Sequence, residues 1–138
     1  MILLDTNVVI YASAQRGPLR DWAVEVITGS VSTGGSAINA VGLAELAVGA
    51  GDPSSIAPNL RSWGIVLLDV PVIASEAAAR AYREYRSNAG KVTPLMPLPD
   101  FFIGAHAMVM DWELATADKG RFRTYFPDLR LRMPDIAG

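Results

Sequence analysis

Four carboxylates stand inside or against apolar runs, and their type suits them to hold a divalent cation. Asp5 follows Met1-Ile2-Leu3-Leu4, and Glu45 follows Val41-Gly42-Leu43-Ala44. Asp100 precedes Phe101-Phe102-Ile103, and Asp118 follows Glu113-Leu114-Ala115-Thr116-Ala117. An ionised carboxylate near a core is costly unless something compensates it. A shared cation compensates several at once. The chain has no cysteine and one histidine, His106, which excludes thiolate-held zinc or iron and argues against a histidine-rich zinc site. A metal here would be bound by oxygen, which favours magnesium or manganese. Each acid alone has a plainer reading: Asp5 as a helix cap, Glu45 as a solvent-facing residue, Pro99-Asp100 as a helix start, and Thr116-Ala117-Asp118 as a turn. The combination carries the metal reading.

The elements that must position these groups alternate between strand-like and helical patterns. Ile2-Leu3-Leu4 reads as a buried strand ending at Asp5, with Asp5 or Thr6 capping a helix over residues 6–14. Pro18 opens a helix to about Ile27 that Gly29 stops, and residues 29–36 read as a loop without the Gly-Lys-Ser/Thr of a phosphate-binding loop. Ala37-Ile38 is a short strand, and Asn39 caps the helix carrying Glu45. Residues 53–63 read as a helix closed by Gly64, Ile65-Val66-Leu67-Leu68 as a strand, and residues 71–87 as an alanine-rich helix with Glu76 and Arg80 at helical spacing. A loop with Gly90, Pro94, Pro97 and Pro99 follows. Asp100 caps or begins a helix to about Met110, and Leu114-Ala115-Thr116 is a strand. A helical piece over 121–126 and a strand at Leu129-Arg130-Leu131 complete the pattern. Strands alternating with helices imply an α/β fold with a mostly parallel sheet and helices on both faces. In such folds the functional crevice lies at the carboxyl ends of the strands.

Size and composition set the outer bounds. A chain of 138 residues, 51% hydrophobic and 19% charged, predicts one domain over residues 1–138 with a substantial core. No run reaches the ~20 apolar residues that span a bilayer. Ala12-Ser13-Ala14 mimics a signal-peptide cleavage site only faintly, because no basic residue precedes the apolar stretch and Asp5 and Asn7 interrupt it. The expected location is the cytoplasm. A net charge of −2 offers no bulk attraction to nucleic acid, so any such contact needs a local basic patch.

Four stretches together resemble the motifs of PIN-domain ribonucleases: Leu3-Leu4-Asp5-Thr6-Asn7, Leu43-Ala44-Glu45-Leu46, Leu98-Pro99-Asp100-Phe101-Phe102-Ile103-Gly104-Ala105-His106-Ala107, and Leu114-Ala115-Thr116-Ala117-Asp118-Lys119-Gly120-Arg121-Phe122. The size is most similar to the VapC toxins of bacterial toxin–antitoxin pairs. Each motif is short, while the ordered set spans nearly the whole chain. The resemblance implies a three-layer α/β/α sandwich and Mg²⁺- or Mn²⁺-dependent endoribonuclease activity. It also implies an RNA substrate, a cognate antitoxin and a second copy of the chain as partners. By that resemblance Asp5, Glu45, Asp100 and Asp118 are the acidic quartet, and Thr116 is a hydroxyl residue that orients it. Asn39 departs from the Ser or Thr that many relatives carry beside the cleft. On that resemblance Asp5 and Asp100 are expected as main metal ligands, Glu45 as ligand or water-orienting group, and Asp118 as the group completing the shell or holding a second ion.

Other residues take plainer roles. Asp69 reads as a turn, His106 as a packed residue off the face of Asp100, and Trp22, Trp63 and Trp112 as core or interface. Arg80, Arg83 and Arg86, with Lys91 following, form a solvated flank. Lys119, Arg121 and Arg123 are the better RNA contacts because they flank Asp118, and Arg130 and Arg132 could extend that surface. The rival from another class is a non-catalytic PIN-like module binding RNA or protein. Its weakness is that all four acids are present. A phosphoryl-transfer protein with Asp5 as nucleophile usually has a second acid beside it, where Thr6 and Asn7 stand here.

Overall fold

The computed structural model describes residues 1–88, 96–118 and 120–135. Gly90, Lys91, Pro94 and Lys119 lie outside them. Strands β1 (Ile2–Leu4), β2 (Ser36–Asn39), β3 (Val66–Leu68), β4 (Glu113–Ala115) and β5 (Leu131–Arg132) pair in the order β3-β2-β1-β4-β5. Every pairing is parallel. The α-helices are α1 (Thr6–Ala12), α2 (Pro18–Gly29), α3 (Ala40–Val48), α4 (Ile56–Ser62), α5 (Val72–Ser87) and α6 (Leu98–Val109).

An all-parallel sheet needs cover on both faces, and the side chains alternate accordingly. Leu3, Ala37 and Leu114 point into one core with Ala74, Ala78 and Ala81 of α5 and Phe101, Ile103, Ala105 and Ala107 of α6. Ile2, Leu4, Ile38 and Ala115 point into the other, with Val8 and Val9 of α1, Val26 and Ile27 of α2 and Leu60 of α4. This is the α/β/α sandwich expected from the sequence. Each fully buried Leu or Ile contributes ~1.5–3 kcal/mol. A one-residue slip would turn every side chain of a strand to the wrong face, so the apolar alternation of β1 also fixes where Asp5 emerges.

The strand order creates the crevice. From β1 the chain runs outward through β2 to β3, then returns to lay β4 on the opposite side of β1. The connections after β1 and β4 therefore diverge, and the gap beyond their carboxyl ends is the topological switch point where open parallel sheets place ligands.

Several local expectations are corrected. Helix α6 begins at Leu98, with Pro97 as N-cap, so Asp100 sits inside its first turn and is not its cap. A proline is tolerated there because first-turn N–H groups have no intrahelical acceptor. Residues 53–63 split into a 3-10 turn, Pro53–Ser55, and α4, since the Ser54 and Ser55 hydroxyls both bond back to Asp52. Gly29 ends α2 within the helix, and Ser30–Thr33 forms a 3-10 turn in the expected loop. Residues 121–125 form successive turns, not a helix. Phe126 N–H does reach Phe122 O at 2.9 Å, but Pro127 disfavours helical backbone at Phe126 and ends the run. The last strand lies at Leu131–Arg132, not Leu129–Leu131, because Leu129 turns into the α5–α6 core.

Candidate active site

Asp5 leaves β1 and caps α1: its Oδ1 accepts from Thr6 N–H at 2.8 Å, and its Oδ2 accepts from the Thr116 hydroxyl at 2.8 Å. Thr116 follows β4 directly and is fully buried. Its Oγ1 also accepts from the Asp118 N–H at 3.1 Å, so one hydroxyl joins two of the four acids. Asn7 closes the same gap, its Oδ1 accepting from Ala117 N–H at 3.2 Å. The β1 and β4 ends are thereby tied side by side at the switch point.

Asp100 reaches the site from the first turn of α6, where the helix dipole favours an anion. It is only 2% exposed, as is Asp5. Its Oδ2 accepts from Arg121 Nη1 at 2.9 Å. The same guanidinium holds Asp118, with Nε 3.1 Å from Oδ2, but Nε makes no well-aligned hydrogen bond, so this second contact is an ion pair without directed bonding. Asp118 Oδ1 meanwhile accepts from the Gly120 and Arg121 N–H groups at 3.1 and 3.0 Å. Arg121 is seated by packing as well as charge. Phe122 and Phe126 lie over Gly104 of α6, where an added Cβ would stand 2.7 Å from the Phe126 ring. Only a glycine lets these rings approach so near the helix, and that approach carries Arg121 to Asp100.

Glu45 comes from the middle of α3, beyond the benefit of a helix N-terminus. Its Oε1 is buried and has no hydrogen-bond partner among the described residues. Asn39, at the end of β2, caps α3 by accepting from Gly42 N–H at 2.9 Å, and its Nδ2 donates to His106 Nδ1 at 3.2 Å. This bond ties the helix of Glu45 to the helix of Asp100. Burial holds His106 below the usual histidine pKa, which keeps Nδ1 available as an acceptor.

Three of the four acids, Asp5, Glu45 and Asp100, are pushed up by burial and by neighbouring acids. Burial, and then the neighbouring Asp5, push the Asp100 carboxyl up to about 7. Burial and Asp5 also raise Glu45. Burial raises Asp5 itself, against the pull of the Thr116 and Thr6 hydrogen bonds, with Asp118 adding a small push upward. Arg121 is the cation that opposes the rise at all three. Among the described residues no three of His, Cys, Asp and Glu are placed to hold a metal ion as they stand; the Arg121 guanidinium bridges Asp100 and Asp118 instead.

Sequence reasoning placed Asp5, Glu45, Asp100, Asp118 and Thr116 in one crevice, and the geometry brings them within electrostatic reach there. It treated Arg121 as an outward RNA contact and overlooked the bonds made by Asn7 and His106. The signal for Arg121 was its spacing, three residues after Asp118. Arg130 and Arg132 do not extend this surface. They pair with Asp111 and Glu113 around a cleft of about 200 Å³ that also involves Met1 and Ile2, at the amino ends of the strands. Arg80 pairs with Glu76 on an exposed flank, and Asp69 is exposed.

The PIN domain family model matches residues 2–126. The chain belongs to the PIN domain family. Solved structures similar to this PIN domain include VapBC2 from Rickettsia felis bound to a DNA fragment from its promoter, with TM-score 0.74 and 20% identity over 98% of this chain and 100% of that one. FitAcB from Neisseria gonorrhoeae has TM-score 0.66 and 22% identity over 97% and 98%. A toxin–antitoxin complex from Klebsiella pneumoniae has TM-score 0.58 and 21% identity over 86% and 87%. At these identities the likeness speaks for the fold. Among curated proteins none matches the sequence. No described helix of the PIN domain is long and apolar enough to cross a membrane.

Proposed function

We propose that this PIN domain is a divalent-metal-dependent endoribonuclease and the toxin of a toxin–antitoxin pair. The observation that carries the reading is the convergence of four acids at the switch point, two of them buried and a third, Glu45, with a buried oxygen lacking a hydrogen-bond partner among the described residues. An all-oxygen set whose members raise one another's pKa fits Mg²⁺ or Mn²⁺. Asp5 and Asp100 would be the main ligands, Glu45 would be a ligand or orient the attacking water, and Asp118 would complete the shell or hold a second ion. A cation bound there lowers the pKa of water and offsets charge on the scissile phosphate.

The chain's own residues do the rest. Thr116 fixes the rotamer of Asp5 by donating to Oδ2. Asn39 and His106 hold α3 against α6, which sets Glu45 relative to Asp100. RNA as the substrate rests on the likeness to PIN-domain ribonucleases. The antitoxin is supported by the kind of complex in which similar folds occur and by an apolar groove outside the acid site. That groove, lined by Val9, Ile10, Leu46, Ile56, Leu60 and Trp63, leaves Ile10 57% exposed and suits an amphipathic segment. A homodimer and a cytoplasmic location belong to the same reading.

The test is incubation of the purified protein, free of antitoxin, with total RNA and Mg²⁺ or Mn²⁺, beside EDTA and Asp5→Asn controls. Discrete fragments that need both metal and Asp5 are expected. A folded protein that binds RNA or a partner without cleaving would make it a non-catalytic module.

A further inference from the structure

The metal-dependent reading leaves Arg121 unexplained, because it offers the acids a positive charge where the metal is needed. We propose that Arg121 is an internal counter-ion that competes with the divalent cation for Asp100 and Asp118, so that metal loading requires the guanidinium to let go. The inference rests on the proposed function and concerns how that site is regulated.

Three features support exchange over a permanent pair. First, the two contacts are unequal. Nη1 makes a directed bond to buried Asp100 at 2.9 Å, whereas Nε faces Asp118 at 3.1 Å without alignment, so the Asp118 link is the weaker. Second, the side chain is 32% exposed and has solvent into which to withdraw. Third, its backbone is held independently of the guanidinium: Arg121 N–H is bonded to Asp118 Oδ1, and Phe122 is fully buried against α6. A carboxylate oxygen committed to a guanidinium is a poor metal ligand, and two cations drawn to the same carboxylates repel each other. Arg123, two residues on, is the internal control: it is exposed, and its side chain reaches the Met133 sulfur at 4.0 Å rather than any of the four acids among the described residues.

The experiment is Mn²⁺ titration of the metal-free protein, followed by electron paramagnetic resonance and calorimetry, on wild type, Arg121→Gln, Arg121→Lys and Arg123→Gln. Competition predicts that Arg121→Gln binds Mn²⁺ about tenfold tighter or more. Arg121→Lys should gain less, about threefold, because an ammonium keeps the charge but lacks the planar fork that spans two carboxylates. Arg123→Gln should stay within about twofold, since an exposed charge that is not bonded to these acids is screened. Metal-free Arg121→Gln should also melt lower than wild type, with Mn²⁺ restoring more of its melting temperature. If it does not fold, Arg121→Lys carries the comparison. Mn²⁺ binding in wild type that is unchanged or weakened in the Arg121 variants overturns the competition and leaves the metal site standing. Absence of Mn²⁺ binding in every folded variant overturns both.

Discussion

The two ends of the sheet both gather charge, but they balance it differently. At the amino ends, Arg132 grips Glu113 with two nitrogens at 3.1 and 3.2 Å, and Arg130 pairs with Asp111. Each acid there has its own arginine, and these side chains are half or more exposed except Glu113, at 32%. At the carboxyl ends, Asp5, Glu45, Asp100 and Asp118 share one arginine among the described residues, and two of the acids are almost wholly buried. Matched, hydrated pairs ask nothing more of their surroundings. A buried surplus of anions stores unfavourable energy that protonation or a cation must relieve. The imbalance, more than the presence of charge, is what the proposed metal site rests on.

Substitutions at the two ends should therefore diverge most in activity. Asp100→Asn is expected to lower RNA cleavage at least ~100-fold, by loss of a metal ligand, with the fold retained by circular dichroism. Glu113→Gln should leave the cleavage rate within about twofold. Equal losses would erase the distinction between the ends.

The packing that seats Arg121 gives the next largest effect. Gly104→Ala would put a methyl 2.7 Å from the buried Phe126 ring. It should destabilise the protein by ~1–3 kcal/mol in urea unfolding, with cleavage falling further than stability alone explains. Asn39→Ala removes the α3 cap and the partner of His106 at once, and is expected to lower stability by ~1–2 kcal/mol.

The pH dependence sharpens the contrast. Asp100 titrates at about 7 in the folded protein and at its ordinary 3.8 when unfolded, so between those values the native state holds the extra proton. Stability of the metal-free protein should rise as pH falls through about 7 toward 4, the carboxyl becoming neutral, and that contribution is lost as pH rises back through 7. His106 has the opposite sign. Its depressed pKa leaves the unfolded chain holding more protons below about 6.5, so its contribution is lost on further acidification. Melting curves of Asp100→Asn should be flatter from pH 8 to 6.5, and an unchanged slope would reject this origin. Smallest of all, Arg132→Gln should shift stability by under ~1 kcal/mol.

Much of this was legible in the residues. The apolar alternation gave the layers, and carboxylates embedded in apolar runs marked the acid site. What escaped depended on partners distant in sequence. The His106–Asn39 bond spans 67 positions and the Thr116–Asp5 bond 111. The role of Arg121 depends on Phe126 meeting Gly104, which no local pattern announces. Boundaries missed at Leu129, Asp100 and residues 121–126 lay where proline or tertiary packing overrode local propensity.

The central claim is that the unbalanced acids are a metal site. Anomalous diffraction from crystals soaked in Mn²⁺ tests it most directly. The account predicts a peak among Asp5, Glu45, Asp100 and Asp118, with Arg121 withdrawn from Asp100 and Asp118. A peak instead beside Asp111 and Glu113, or none at the carboxyl ends in crystals that remain well ordered, would contradict it.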